Sequence, residues 1–245
     1  MMNELSLPRY IFSYINEQND AKIFDKALNK SITSGKVQNT GNNVLKFNSS
    51  DQKPYEFIIV KEEIVLEQDL VVSLTNLILS QLELSRIIPT KTGLEQGNYK
   101  ERSKNCVESM ISNLVFYKWF ENKDNISILD MAADIMYRIA TINHPFTNGN
   151  KRTALLSAGA FLDSIGLYLY FYKYKTKTDY LEKWEAFMLE VAASKTQGKT
   201  EIETLTKIKT KLLDSIWMNF NNEIILETEI EKSIVKESEH EKIEL

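Results

Sequence analysis

Residues 127–166 read SILDMAADIMYRIATINHPFTNGNKRTALLSAGAFLDSIG, and this stretch sets the interpretation of the whole chain. Ser127, followed three residues later by Asp130, is a capping-box-like pair that starts a helix. Ile128, Met131, Ala132, Ile135, Met136, Ile139 and Ile142 then recur three or four apart, as a buried helical face requires. Pro145 disfavours helical dihedrals at His144 and supplies no N–H, so the first helix stops there. A second helix is predicted over 150–165, with Leu155, Ala158, Leu162 and Ile165 on one face and Gly166 placed to end it. Two apolar helices therefore bracket His144, Pro145, Phe146, Thr147, Asn148, Gly149, Asn150, Lys151 and Arg152, the densest cluster of reactive side chains in the protein.

A helix beginning near Asn150 turns its first backbone N–H groups toward that loop, and its dipole adds partial positive charge. Gly149 permits close approach of the backbone to a ligand, and Lys151 and Arg152 add two full charges. Together they predict an anion site suited to phosphate. His144 stands at the other side of the same loop. An imidazole of near-neutral pKa beside bound phosphate is what a general base for phosphoryl or nucleotidyl transfer needs. Each residue also has a plain interpretation: His144 as a cap, Phe146 as a packing anchor, Asn148 and Asn150 as turn and cap residues. Lys151 and Arg152 fit a solvated first turn less well, because cations at a helix N-terminus are misplaced without an anion. The plain interpretations must all hold within nine residues, which weakens them jointly.

Working outward, 245 residues suffice for one large domain, or one domain with a smaller addition. Eight glycines and four prolines are too few for a turn-rich all-β design and favour long helices. The net charge of −4 provides no general basic field for nucleic acid, so that partner is not expected. Cys106 is the lone cysteine, and His144 and His240 are the two histidines, so an intrachain disulfide and a Cys- or His-rich metal site are excluded. No secretory signal or membrane span is read, and a cytoplasmic protein is expected, while export by a dedicated secretion machine would leave no readable signal.

Residues 1–64 read as a small α+β appendage. A helix is expected over 11–28, a polar loop or hairpin over 36–53, and a strand over 55–60. Helices are expected over 70–87, 107–120, 179–193 and 201–218, with a loop or hairpin over 90–105. Met110, Ile111, Leu114, Val115, Trp119 and Phe120 form the apolar stripe of the second of these. The aromatic and lysine-rich 168–177 reads as a short connecting strand rather than a nucleic-acid platform. From Glu227 the chain is a Glu/Lys run, a solvated helix or frayed tail. The expected organisation is 1–64 appendage, 65–217 catalytic domain and 218–245 charged C-terminal tail.

The segment resembles the active-site motif of the Fic/Doc (Fido) family. The Fic branch reads H-P-F-x-[D/E]-G-N-G-R-x-x-R, and the death-on-curing (Doc) branch reads H-x-F-x-[D/N]-[A/G]-N-K-R. His144, Phe146, Asn148, Gly149, Asn150, Lys151 and Arg152 meet every fixed position of the second. Ala132-Ala133 before the motif, and Thr153-Ala154, Phe161-Leu162 and Gly166 after it, agree as well, and the resemblance covers roughly 67–216.

The resemblance implies a mainly α, Fic/Doc-like helical bundle. It also implies ATP-dependent transfer to a hydroxyl side chain of a target protein. By it, His144 deprotonates the hydroxyl, and Thr147, Gly149, Asn150, Lys151 and Arg152 bind nucleotide or phosphate. Asn148 takes the position that in many relatives carries a Mg²⁺-binding carboxylate, which makes it the candidate ligand for a Mg²⁺ cofactor beside ATP, weaker than a carboxylate, and Phe146 anchors the loop. Lys151 replaces the last glycine of G-N-G, and Leu155 stands where the second arginine would fall. Both favour the Doc-like branch, a toxin-like regulator that moves the γ-phosphate. Adenylyl transfer to Tyr, Thr or Ser is the alternative, and a non-catalytic binding module a further one. The inhibitory pattern [S/T]-x-x-x-E-[G/N] has no full match, since the stretch from Ser233 to Glu237 is followed by Ser238. Control by a separate antitoxin-like partner is therefore expected. Residues 90–105 lie where relatives place a flap that docks the target as an added strand.

Overall fold

A computed structural model of the chain describes residues 7–41, 43–47, 54–87, 100–143, 145–146, 149–169 and 177–219. It is mainly helical, with a small sheet near the N-terminus. The centre is α4 (Ile128–Tyr137), opened by the Ser127–Asp130 capping box. Ile128, Met131, Ala132, Ile135 and Met136 are buried, and so are Leu129, Ala133 and Tyr137 between them. A helix apolar on nearly all sides must sit inside the protein. α4 packs against α5 (Asn150–Ser164) and α7 (Glu201–Ser215), while α2 (Gln68–Ile87) covers α5 and α3 (Lys100–Asn113).

Both α3 and α4 run on into π-helical turns, Leu114–Trp119 and Arg138–Ile142. The second closes with the Asn143 N–H donating to the Arg138 carbonyl at 3.0 Å, and Asn143 leads directly to position 144. The first explains a departure from the predicted stripe. A π turn inserts a residue and rotates every later position. Trp119 remains buried, but Phe120 leaves the core face and is 62% exposed. Among the described residues, no helix is long and apolar enough to cross a membrane.

The N-terminal sheet has the order β1-β4-β3-β2, formed by β1 (Arg9–Tyr14), β2 (Val37–Gly41), β3 (Val44–Phe47) and β4 (Tyr55–Glu63). β1 runs parallel to β4, with Arg9 opposite Ile58, and α1 (Glu17–Thr33) lies between them in sequence. Residues 11–14 are thus strand, not the start of the expected 11–28 helix. Tyr10 and Phe12 are buried while Arg9 and Ile11 face out, a period of two that a helix cannot use. The helix begins only after Asn16, whose Oδ1 accepts from the Asn19 N–H at 3.0 Å.

The sheet is tied into the helical body at several points. Buried Asp20 accepts from the Ile15 and Asn16 N–H groups at 2.9 and 3.0 Å through Oδ2, and from the Ile128 N–H at 2.9 Å through Oδ1. Burial pushes this carboxyl above its ordinary range against the pull of those three donors. The Lys30 ammonium donates to the carbonyls of Leu213, Asp214 and Ile216, where a cation complements a helix C-terminus. There α7 ends, three residues before the expected 218. Ile216–Met218 is β6, paired antiparallel with β5 (Leu167–Leu169), a state that suits β-branched and aromatic side chains.

Residues 100–105 are helical rather than loop, since α3 starts at Lys100 in a run of good helix formers without glycine or proline. The remainder of that expected loop, 90–99, lies outside the described residues, as do the aromatic positions 170–174 and the tail from Glu227. α6 (Lys177–Ala193) begins two residues before the expected 179.

Glu190 on α6 accepts from Lys199 at 2.8 Å and also from Lys207 on α7. These two ammonium groups hold its carboxyl down to about 2. A depressed acid contributes stability above its unfolded pKa of 4.5 and loses it as pH falls toward 2. The side chain is 35% exposed, so solvent screening keeps the contribution below about 1 kcal/mol. Urea titrations of the wild type and Glu190→Gln should therefore differ at pH 6, converge near pH 2, and differ less in high salt. An unchanged difference across that range would refute the assignment.

Candidate active site

The predicted cluster spans the segment that follows the π turn at Arg138–Ile142 and the first turn of α5. Within it the structure describes Pro145, Phe146, Gly149, Asn150, Lys151 and Arg152. His144, Thr147 and Asn148 lie outside the described residues. Phe146 is 2% exposed and joins the hydrophobic core. Its backbone is gripped at both polar groups by one side chain. The Phe146 N–H donates to Asn150 Oδ1 at 3.1 Å, and Asn150 Nδ2 donates to the Phe146 carbonyl at 2.5 Å. An asparagine amide has a donor and an acceptor on adjacent atoms, so it can close this ring of two bonds where an aspartate cannot.

Gly149 is the N-cap of α5, with φ 84° and ψ 0°. That is the left-handed region, open to glycine without steric cost. Its carbonyl begins the helix by accepting from the Thr153 N–H at 2.9 Å. α5 has no side-chain N-cap bond and no acidic residue in its first turn, where Lys151 and Arg152 stand instead. Lys151 is exposed and Arg152 half-buried. Leu155 is half-buried and packs against the core.

Sequence spacing missed the support beneath this turn. Arg152 Nη1 donates to the Ser85 carbonyl at 2.6 Å. The Thr153 hydroxyl bonds Ser85 Oγ at 3.3 Å. A methyl group built on Gly149 would meet the same Oγ at 3.7 Å. Ser85 is 1% exposed and lies in the last turn of α2. No local pattern signals a partnership between residues so far apart in sequence.

On the entry side, Trp119 Nε1 and Lys118 Nζ both donate to Asp134, at 2.9 and 2.6 Å, and Lys118 also reaches Glu201 at 3.0 Å. Burial pulls the Lys118 ammonium down, but Asp134 and Glu201 outweigh it and hold the group above its usual value. Glu201 also lies 3.5 Å from Arg138. These pairs fix the two π turns to α4 and α7. A cavity of about 260 Å³ lined by Ser109, Met110, Asn113, Arg138 and Asn143 opens beside the loop's entry. Segment 144–152 carries no carboxylate, and among the described residues no three His, Cys, Asp or Glu side chains gather as a metal would require.

Residues 80–162, from the last turns of α2 to the end region of α5, match the family model described as Fic/DOC family. No curated protein and no solved structure matches the chain. The match supports the Fic/Doc (Fido) family and does not distinguish its Doc branch.

Proposed function

We propose that this protein is a Fic/Doc-type, ATP-dependent transferase that modifies a hydroxyl side chain of a target protein. The observation that carries the proposal is the first turn of α5. It has a left-handed glycine cap and two cations, with no acidic residue or side-chain cap to answer the helix dipole. Arg152 already donates to the Ser85 carbonyl, and a triphosphate is an anion suited to such a turn. Asn150 holds the Phe146 backbone, two residues after His144 in sequence, against the same turn. The family match over 80–162 supports a transferase of this general type.

Within this reading, the target hydroxyl gives its proton to His144 as its oxygen bonds to the γ-phosphorus of ATP. The bond from that phosphorus to the β,γ-bridging oxygen breaks, and ADP leaves with the electron pair. Arg152 and the backbone at Gly149 and Asn150 balance phosphate charge as it shifts toward the leaving group. Lys151 adds a further cation in the place where the adenylylating pattern carries glycine. Leu155, in the place of the second arginine, offers no second clamp. Both differences favour γ-phosphate transfer over adenylyl transfer. No step is assigned to a resident metal, because the neutral amide of Asn148 is the one side chain offered in the expected place. The same missing arginine leaves an internal inhibitory glutamate nothing to pair with, which supports control by a separate antitoxin-like protein. We place the activity in the cytoplasm, where ATP is at hand and Cys106 stays reduced.

Incubation of the purified protein with lysate and ATP labelled at either the γ- or the α-phosphorus tests the proposal. Label from the γ-position in a discrete protein band, with none from the α-position, is expected. Label from the α-position would replace phosphorylation by adenylyl transfer. Absence of both labels across a range of divalent metals would remove the enzymatic reading.

A further inference from the structure

We infer that Ser85 is a positioning residue for the phosphate cradle, and that the last turn of α2 is the template on which the cradle is built. The inference rests on the proposed ATP site and extends it to a residue outside the motif. Ser85 reaches three successive parts of the cradle. Its carbonyl accepts from Arg152 Nη1 at 2.6 Å, its Oγ bonds the Thr153 hydroxyl at 3.3 Å, and that Oγ stands 3.7 Å, ordinary van der Waals contact, from where a Cβ on Gly149 would lie. The Ser85 hydroxyl is itself fixed by donating to the Leu82 carbonyl at 2.8 Å. One proton is thus spent on Leu82, and the oxygen's lone pair is turned to the fully buried Thr153.

The carbonyl at Ser85 belongs to the four that a helix leaves without an internal partner at its C-terminal end. A guanidinium answers both that orphan acceptor and the negative end of the α2 dipole. The positive end of α5 and the negative end of α2 therefore meet at Arg152, which sets where that side chain stands before any ligand arrives. An arginine whose planar fork is held at one edge loses less freedom when it binds a phosphate with another.

Serine suits this place because of its size as well as its hydroxyl. A longer side chain would press on the left-handed turn at Gly149. Alanine would keep the carbonyl for Arg152 but leave the buried Thr153 hydroxyl without its acceptor.

The test compares ATP affinity, by calorimetry, and KM against kcat for wild type, Ser85→Ala, Thr153→Val, and the two combined. Ser80→Ala is the control. Ser80 makes the same bond three residues back, to the Leu77 carbonyl at 2.7 Å, but on the exposed face of α2. Ser85→Ala should weaken ATP binding by about five- to tenfold, with the change in KM rather than kcat, and its thermal midpoint should fall a few degrees below that of the control because the buried Thr153 hydroxyl loses its acceptor. Amide exchange over 150–153 should quicken in the same variant and that over 128–137 should not. The double variant should bind no worse than Ser85→Ala alone, since the hydroxyl pair acts as one unit. Wild-type affinity in Ser85→Ala, or additive losses in the double variant, would overturn the positioning role and leave the ATP site intact. A wild type that takes up no ATP would remove the site and this role together.

Discussion

Replacing His144 by alanine should abolish label transfer from ATP to the target, with a loss on the order of 10²–10⁴-fold, the range for removing a general base. Nothing else in the motif can replace it. Segment 143–154 contains no carboxylate, cysteine or tyrosine, and the two cations at Lys151 and Arg152 cannot accept a proton while charged. The described residues on both sides of position 144 are fixed. Before it, Asn143 closes the π turn on Arg138, and after it, Phe146 is buried and held at both backbone groups by Asn150. Alanine at 144 leaves all of these contacts in place, so the unfolding midpoint should move little and ATP affinity should survive. A variant that folds, binds ATP and does not transfer assigns proton removal to this position. Retained transfer in His144→Ala would remove the base from the mechanism whatever the fate of the ATP site.

Local signals account for the parts of the molecule that could be read from sequence. The Ser127–Asp130 box and the three-and-four spacing after it lie within a few turns of one helix, and both appear at those positions in α4. Gly149 and Gly166 are legible for the same reason, since a backbone with positive φ is a property of one residue. What escaped was non-local or aperiodic. A 3.6-residue period has no way to register an inserted π turn, so it places Phe120 on a face that this residue does not share. Residues 11–14 lie beside a real helix, and only their pairing with β4 makes them a strand. Ile216–Met218 continues a helical pattern that Lys30, nearly two hundred residues earlier, helps to terminate. In the site itself, the motif residues are contiguous and therefore visible, while Ser85 touches them only because α2 folds back on α5.

Among the described glycines, Gly166→Ala should be the most damaging alanine substitution, at about 3–5 kcal/mol, with a drop in the thermal midpoint of about 10 °C or more. Two costs coincide at this position. The residue ends α5 with φ 91°, where an L-residue is disfavoured by roughly 1–2 kcal/mol. The new Cβ would then clash with the carbonyl oxygen of Ile11, a backbone atom that cannot swing aside as a side chain could. Relief requires moving β1, and β1 is fastened at the same spot. The Tyr10 hydroxyl donates to the Gly166 carbonyl, the Asn219 N–H bonds both that carbonyl at 3.0 Å and the Tyr10 oxygen at 3.1 Å, and the Ser13 N–H donates to Ile165 at 3.2 Å. Shifting one of these groups loosens the others, which are buried and have no water to turn to. Gly35→Ala provides the comparison. Gly35 also has positive φ, at 75°, but nothing lies within 4 Å of its missing side chain. It should cost about 1 kcal/mol, the backbone penalty without the clash. Chemical denaturation of the two variants separates the contributions. Equal losses would mean that β1 yields freely at Ile11, and that the sheet is not held to the helical body through the end of α5.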